Sequence, residues 1–262
     1  MKIAISGKGG VGKTLLASLL SKIFVQSGYS VIAIDADPDA NLAATLGFPD
    51  PDSITPISEM SDLIQERTGA RPGESAPYFK LNPKVDDIPE KYAREMDGIR
   101  LMLMGRVKRG GAGCYCPESA LLQTLMGHLL LARNEVVIMD MEAGIEHLGR
   151  GTARAVDELI VVVEPGRRSI ETAHNVRNLA AEIGIQNLAI VGNKVRNESD
   201  RDFIETNLSD FHILGYIPYD QAVIEADHAN RSPLETSEPV RSAVMDIYHE
   251  LTSGAETVTA EK

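Results

Sequence analysis

Apolar positions along the chain come in short unbroken runs separated by amphipathic stretches. Runs at Lys2–Ser6, Val31–Ile34, Ile99–Met104, Glu135–Asp140, Leu159–Val163, Leu188–Val191 and Ile213–Ile217 have the length and density of strands buried on both faces. Between them, Leu15–Ser27, Ser119–Ala132, Ile170–Ile183 and Pro239–Leu251 show apolar residues at helical spacing. Pro117 is placed as the first residue of the second of these helices, and Ser169 caps the third, which Gly184 closes. Strands alternating with helices predict an α/β fold built on a parallel sheet. From Phe48 to Asp97 the pattern degrades. Pro49, Pro51, Pro56, Pro72, Pro77, Pro83 and Pro89 interrupt it, predicting an irregular insertion at about 48–98. Within it a short helix is expected near Ile57–Thr68 and a small hairpin around Tyr78–Val85. Residues 1–252 read as one domain, and the small, polar stretch 253–262 as a disordered tail.

Composition narrows the class. The chain has 262 residues, 43% of them hydrophobic, and a formal charge of −12. That acidity speaks against coating nucleic acid or membrane, which are both anionic. No apolar run approaches the roughly 18 residues of a membrane span, and the first strand enters a glycine turn with no cleavage pattern. Two cysteines are too few for a disulfide framework, so the cytoplasm is the expected compartment.

The chemistry begins at that glycine turn. Gly7-Lys8-Gly9-Gly10-Val11-Gly12-Lys13-Thr14 fits the phosphate-loop pattern in full, between a strand and a helix start. Glycines let backbone N–H groups converge on phosphate oxygens, Lys13 reaches the β- and γ-phosphates, and the Thr14 hydroxyl suits Mg²⁺. The second strand delivers Asp35, Asp37 and Asp39 to the same edge of the sheet. The strand at 135–140 ends on Asp140. The loop after the third strand carries Cys114 and Cys116, both cysteines of the chain, in a glycine-rich turn before a helix. A soft divalent ion held by thiolates takes four ligands, and one chain supplies two, so a two-fold dimer would complete the set. Buried structural thiols, a strained disulfide or adventitious zinc are the competing readings. For His147 a polar contact is the preferred reading over a metal ligand.

Lys8 sharpens the picture. A second lysine in G-K-G-G-x-G-K-T resembles the deviant Walker A loop of the family holding the septum-site and plasmid-partition ATPases and the nitrogenase iron protein. In that family the extra lysine reaches a partner subunit's nucleotide. With the Cys-x-Cys turn, Asp35-Ala36-Asp37-Pro38, Asp140-Met141-Glu142-Ala143-Gly144-Ile145-Glu146-His147-Leu148-Gly149-Arg150-Gly151-Thr152, Glu164-Pro165-Gly166-Arg167-Arg168-Ser169 and Ile217-Pro218-Tyr219-Asp220, nearly the whole chain resembles the CooC-type nickel-inserting accessory ATPases. The resemblance implies a P-loop NTPase with a doubly wound, mostly parallel sheet and helices on both faces, which hydrolyses ATP to ADP with Asp37 placing the attacking water and Lys8 and Lys13 neutralising charge. It puts Thr14 and Asp140 near Mg²⁺, and Asn193, Pro218 and Asp220 near the base. It also implies a homodimer formed on ATP or metal binding, with Ni²⁺ (or Zn²⁺) between Cys114 and Cys116 of two chains. The implied client is carbon monoxide dehydrogenase or acetyl-CoA synthase. Two rivals remain at this point, a positioning or partition-type switch and an iron–sulfur electron-transfer ATPase.

Overall fold

The structure, a computed structural model, describes residues 1–73, 78–105, 116–131, 133, 135–145, 148, 150–229 and 231–259. Among them eight strands form one sheet: β1 (Lys2–Ser6), β2 (Val31–Asp35), β3 (Arg94–Met96), β4 (Ile99–Leu103), β5 (Val136–Asp140), β6 (Glu158–Val163), β7 (Leu188–Val195) and β8 (His212–Pro218). Their order is β3-β4-β2-β5-β1-β6-β7-β8. Every pairing is parallel except β3 with β4. β1, β2 and β5 are buried along their whole length, which is why their sequences are apolar at every position and not every second one.

The pleat of each strand sends alternate side chains into two layers. Ile3 and Ile5 join one layer with Leu20, Phe24 and Ile247, whereas Ala4 joins the other with Met139, Leu125 and Val176. Helices α1 (Lys13–Gln26), α2 (Leu42–Leu46), α9 (Gln221–His228), α10 (Pro233–Thr236) and α11 (Glu238–Thr259) contribute to the first layer. The second takes α3 (Ser61–Thr68), α4 (Ile88–Tyr92), α5 (Pro117–Leu131), α6 (Arg150–Ala153), α7 (Arg167–Ile183) and α8 (Glu198–Asn207). The doubly wound sheet is therefore as expected. Phe24 anchors the first layer. It is fully buried and edge-on to Tyr29 and Tyr248, at 5.5 and 5.0 Å between ring centres. Burial of such a ring contributes about 2–3 kcal/mol.

The insertion differs from expectation in two places. Residues 78–85 carry no strand; the hairpin is β3–β4, closed by Asp97-Gly98 with φ of 48° and 80°. Positive φ at both central residues is what a two-residue hairpin turn requires, and Asp-Gly supplies it at low cost. The expected helix over 57–68 is split, with a 3₁₀ turn at Ile57–Glu59, Met60 outside the helix, and α3 beyond. Arg67 ties α3 to α4 through two 2.9 Å bonds to Asp87, whose carboxyl those bonds hold well below the usual range. Ile57, Leu63, Ile64, Val85 and Ile88 pack in the layer that contains α5, so the insertion buttresses that helix. At the far end, α11 continues to Thr259, through most of the stretch expected to be disordered.

Candidate active site

The parallel strands deliver their carboxyl ends to one edge, and the phosphate loop lies there between β1 and α1. Gly7 and Gly12 are glycine for steric reasons. Gly7 has φ of 145° and a Cβ on it would sit 2.4 Å from the Val162 carbonyl oxygen. Gly12 has φ of 98°, and a Cβ there would lie 2.2 Å from Asn193 Nδ2. Backbone from β6 and a side chain from β7 thus press directly on the loop. Lys13 is the first residue of α1 and is buried, with Nζ 3.5 Å from the Lys8 carbonyl oxygen.

The loop is also held from behind. Asn193 is buried at the end of β7 and donates through Nδ2 to the Val11 carbonyl at 2.7 Å, while its Oδ1 accepts the Lys194 N–H at 2.8 Å. Lys194 donates through Nζ to the Gly10 carbonyl at 2.7 Å and lies 3.3 Å from Glu164 Oε2. Lys8 Nζ is 3.8 Å from the other oxygen of Glu164. Sequence reasoning gave no site role to Glu164 or Lys194. The left-handed backbone of Lys194, φ 58°, leaves no mark in the sequence.

Three carboxylates face this loop from β2 and β5. Asp35 is fully buried and accepts the N–H of Leu42 at 2.9 Å and of Asp37 at 3.1 Å. It therefore shapes the turn at 35–42, and burial pushes its carboxyl up to about 6. Asp37 is half-buried, and its Oδ1 accepts the Asp39 N–H at 2.9 Å. Asp140 is buried, and that burial pushes its carboxyl up to about 7 against a hydrogen bond from the Thr14 side chain and the pull of Lys13. Among the described residues its Oδ1 has no hydrogen-bond partner. An orphaned carboxylate oxygen beside a threonine hydroxyl is the hard-oxygen donor set that suits Mg²⁺. Beyond β5, Ser6 Oγ donates to the Gly144 carbonyl at 2.9 Å and fixes the start of the 144–152 segment to β1.

Of the other two residues expected near the base besides Asn193, Pro218 ends β8 in register with Val195. Asp220 accepts Ala222 N–H at 2.9 Å and the Ser237 hydroxyl, so its carboxylate caps α9 and joins it to α11. At the cysteine turn, Cys116 is half-buried, and its carbonyl accepts the Ala120 N–H at 3.1 Å, the N-cap position of α5. Its Sγ lies 3.2 Å from Ser119 Oγ. Cys114 and His147 lie outside the described residues. Among the described residues, no group of three or more His, Cys, Asp or Glu side chains is placed to hold a metal ion.

This arrangement of loop, strand-end carboxylates and parallel order has a counterpart among known proteins. The CobQ/CobB/MinD/ParA nucleotide-binding domain matches residues 2–234. The chain belongs to this family. It is a P-loop ATPase of the MinD/ParA kind, and its relatives place it with the CooC-type members. It is 47% identical over 243 residues, 92% of each chain, to the carbon monoxide dehydrogenase accessory protein CooC of Rhodospirillum rubrum. It is also 48% identical to an uncharacterized ATP-binding protein of Methanocaldococcus jannaschii, over 87% of this chain and 88% of the other. Two solved structures share the MinD/ParA fold. The Aquifex aeolicus MinC:MinD cell division complex has a TM-score of 0.70 at 20% identity, covering 96% of both chains. A Borrelia burgdorferi plasmid partition protein bound to AMPPNP has a TM-score of 0.70 at 14% identity, over 97% and 98%.

Proposed function

We propose that the chain is an ATP-hydrolysing metallochaperone that carries Ni²⁺ between two subunits and helps load it into carbon monoxide dehydrogenase or acetyl-CoA synthase. The observation that carries this reading is the pairing of a MinD/ParA-type phosphate loop with a half-exposed thiol, Cys116, at the start of α5. The near full-length similarity to a carbon monoxide dehydrogenase accessory protein supports the client class. Each chain offers two thiolates, Cys114 and Cys116, and a thiolate site for a soft divalent ion takes four. A homodimer completes the cage, and the low cysteine content fits work in the cytoplasm.

The loop N–H groups and Lys13 bind the β- and γ-phosphates of ATP, and Asn193 keeps a second amide hydrogen for the base, with Pro218 and the Asp220 turn beside it. Thr14 and Asp140 would hold Mg²⁺, which would supply charge neutralisation on the phosphates. Asp37 orients the attacking water in line with the leaving phosphate. Lys13, and Lys8 from the opposite subunit, offset the charge that develops on the transferred group. ATP therefore favours one dimer arrangement, and loss of the γ-phosphate relaxes it, which changes the fit of the sulfur cage.

Metal content and Ni²⁺ affinity of anaerobically prepared protein test the reading. The expected result is one Ni²⁺ per two chains, lost in both Cys114→Ala and Cys116→Ala, with ATP hydrolysis retained. A single subunit that holds the ion as tightly as the dimer would overturn it.

A further inference from the structure

Glu164 is the first residue beyond β6, and its N–H donates to Ser169 Oγ at 3.1 Å, which fixes the backbone that carries the carboxylate. That carboxylate lies between two ammonium groups on different elements, Lys8 at 3.8 Å and Lys194 at 3.3 Å. Lys194 sits in the left-handed region, φ 58°, where glycine would be the comfortable residue. Its N–H bond to Asn193 Oδ1 holds it there, and its ammonium is thereby delivered to the Gly10 carbonyl at 2.7 Å. A strained residue that supplies a specific contact at a ligand loop points to a role for the contact.

Peptide geometry says what that role is. In a trans peptide the C=O and the following N–H point to opposite sides. Holding the Gly10 carbonyl from the β7 side turns the Val11 N–H the other way, and the Asn193 bond to the Val11 carbonyl does the same for the Gly12 N–H. Among the described residues the Val11 N–H rests on a 3.4 Å contact with the Lys8 carbonyl, long enough to be readily exchanged for a phosphate oxygen. Meanwhile Glu164 holds Lys8 on its own subunit.

We propose that Lys194 is a positioning residue of the phosphate loop, and that Glu164, its shared counter-ion, retains Lys8 until the nucleotide of a second subunit competes for it. The inference rests on the ATPase dimer proposed above and deepens it. Lys194 aims the loop N–H groups without touching the reacting atoms. Glu164 sets the protein concentration at which ATP drives pairing.

Three variants test this in the full chain, with ADP affinity by calorimetry, melting temperature, and the ATP-dependent pairing midpoint by sedimentation. Lys194→Gly removes the backbone strain and the ammonium together. It should melt no lower than the unmodified chain yet bind ADP about tenfold more weakly, a split that a purely structural residue would not give. Lys194→Met keeps the strain and should lose the same affinity. Glu164→Gln should lower the pairing midpoint about threefold to fivefold, the range of a part-exposed ion pair. A Lys194→Gly chain with undiminished ADP affinity overturns the Lys194 role, and an unchanged Glu164→Gln midpoint overturns the retention of Lys8. If the unmodified chain binds no nucleotide, the proposed function itself fails, and this inference with it.

Discussion

Replacing Gly12 by alanine should damage the protein in a way that depends on Asn193. Two costs arise at once. The φ of 98° is one an L-residue adopts only at about 1–2 kcal/mol. The new Cβ, 2.2 Å from Asn193 Nδ2, also forces a buried amide out of its place. That movement breaks the 2.7 Å bond to the Val11 carbonyl and the 2.8 Å bond from Lys194 N–H, together about 2–3 kcal/mol. Gly12→Ala should therefore lose about 4 kcal/mol, a large share of a stability that is typically 5–15 kcal/mol. Asn193→Ala alone gives up the same two bonds, about 2–3 kcal/mol. In the double variant nothing is left to collide with and the bonds are already gone, so its loss should stay near 4 kcal/mol instead of the additive 6–7. Urea titrations of the four proteins without nucleotide measure the coupling, expected at about 2–3 kcal/mol. Losses that add to within about 0.5 kcal/mol would mean the loop and the amide do not press on one another, and the bracing argument would be wrong.

Asp140→Asn should abolish Mg²⁺-dependent hydrolysis while raising the melting temperature of the nucleotide-free protein. The folded carboxyl is raised to about 7 from 3.8, so its cost is absent below about pH 4, grows up to about 7 and is complete above it. Stabilisation on the order of 2–4 kcal/mol at pH 8 and close to none at pH 4 is expected, and equal effects at both would refute the assignment. Glu158, raised to about 7 by burial and by neighbouring Asp157, has the same sign. Because it is only partly buried, Glu158→Gln should add less than about 1 kcal/mol at pH 8 and nothing measurable near pH 4 in thermal melts. Gly105→Ala would put a Cβ 2.2 Å from Ser58 Oγ and 2.6 Å from Pro56 Cβ at a φ of 76°, and should cost about 2–4 kcal/mol by urea titration. An unchanged midpoint would show that this contact gives way freely.

The parallel strands were readable because burial on both faces demands unbroken apolar runs, and the phosphate loop because its glycines answer to steric limits visible in the pattern. β3 was not readable from periodicity. Arg94-Glu95-Met96 is a three-residue edge strand with two exposed side chains, so no buried face shapes its composition. The Asp97-Gly98 turn was its available signal. Likewise Ala255-Glu256-Thr257-Val258-Thr259 has little to bury and reads as tail, although α11 runs through it. At the site, Lys13, Thr14 and Asp140 announce themselves by motif and strand-end position. Lys194 does not, because its importance comes from a backbone conformation imposed by Asn193. The Asp220 carboxylate, expected near the base, is engaged by Ala222 and Ser237, partners that only the folded chain brings to it.

Just beyond β4 the chain is held from both sides. The Met104 N–H is bonded to the Asp35 carbonyl at 2.9 Å, and the Met104 carbonyl accepts the Ser58 N–H at 3.1 Å. One residue is thus clamped between the aspartate segment that follows β2 and the inserted chain, just ahead of the stretch that leads to the cysteines. No slack link separates the two sides. A shift in the backbone at Asp35 as phosphate departs would therefore be carried through Met104 to the inserted chain at Ser58 or break one of these two hydrogen bonds, which makes this strand end a coupling point between the nucleotide edge and the insertion.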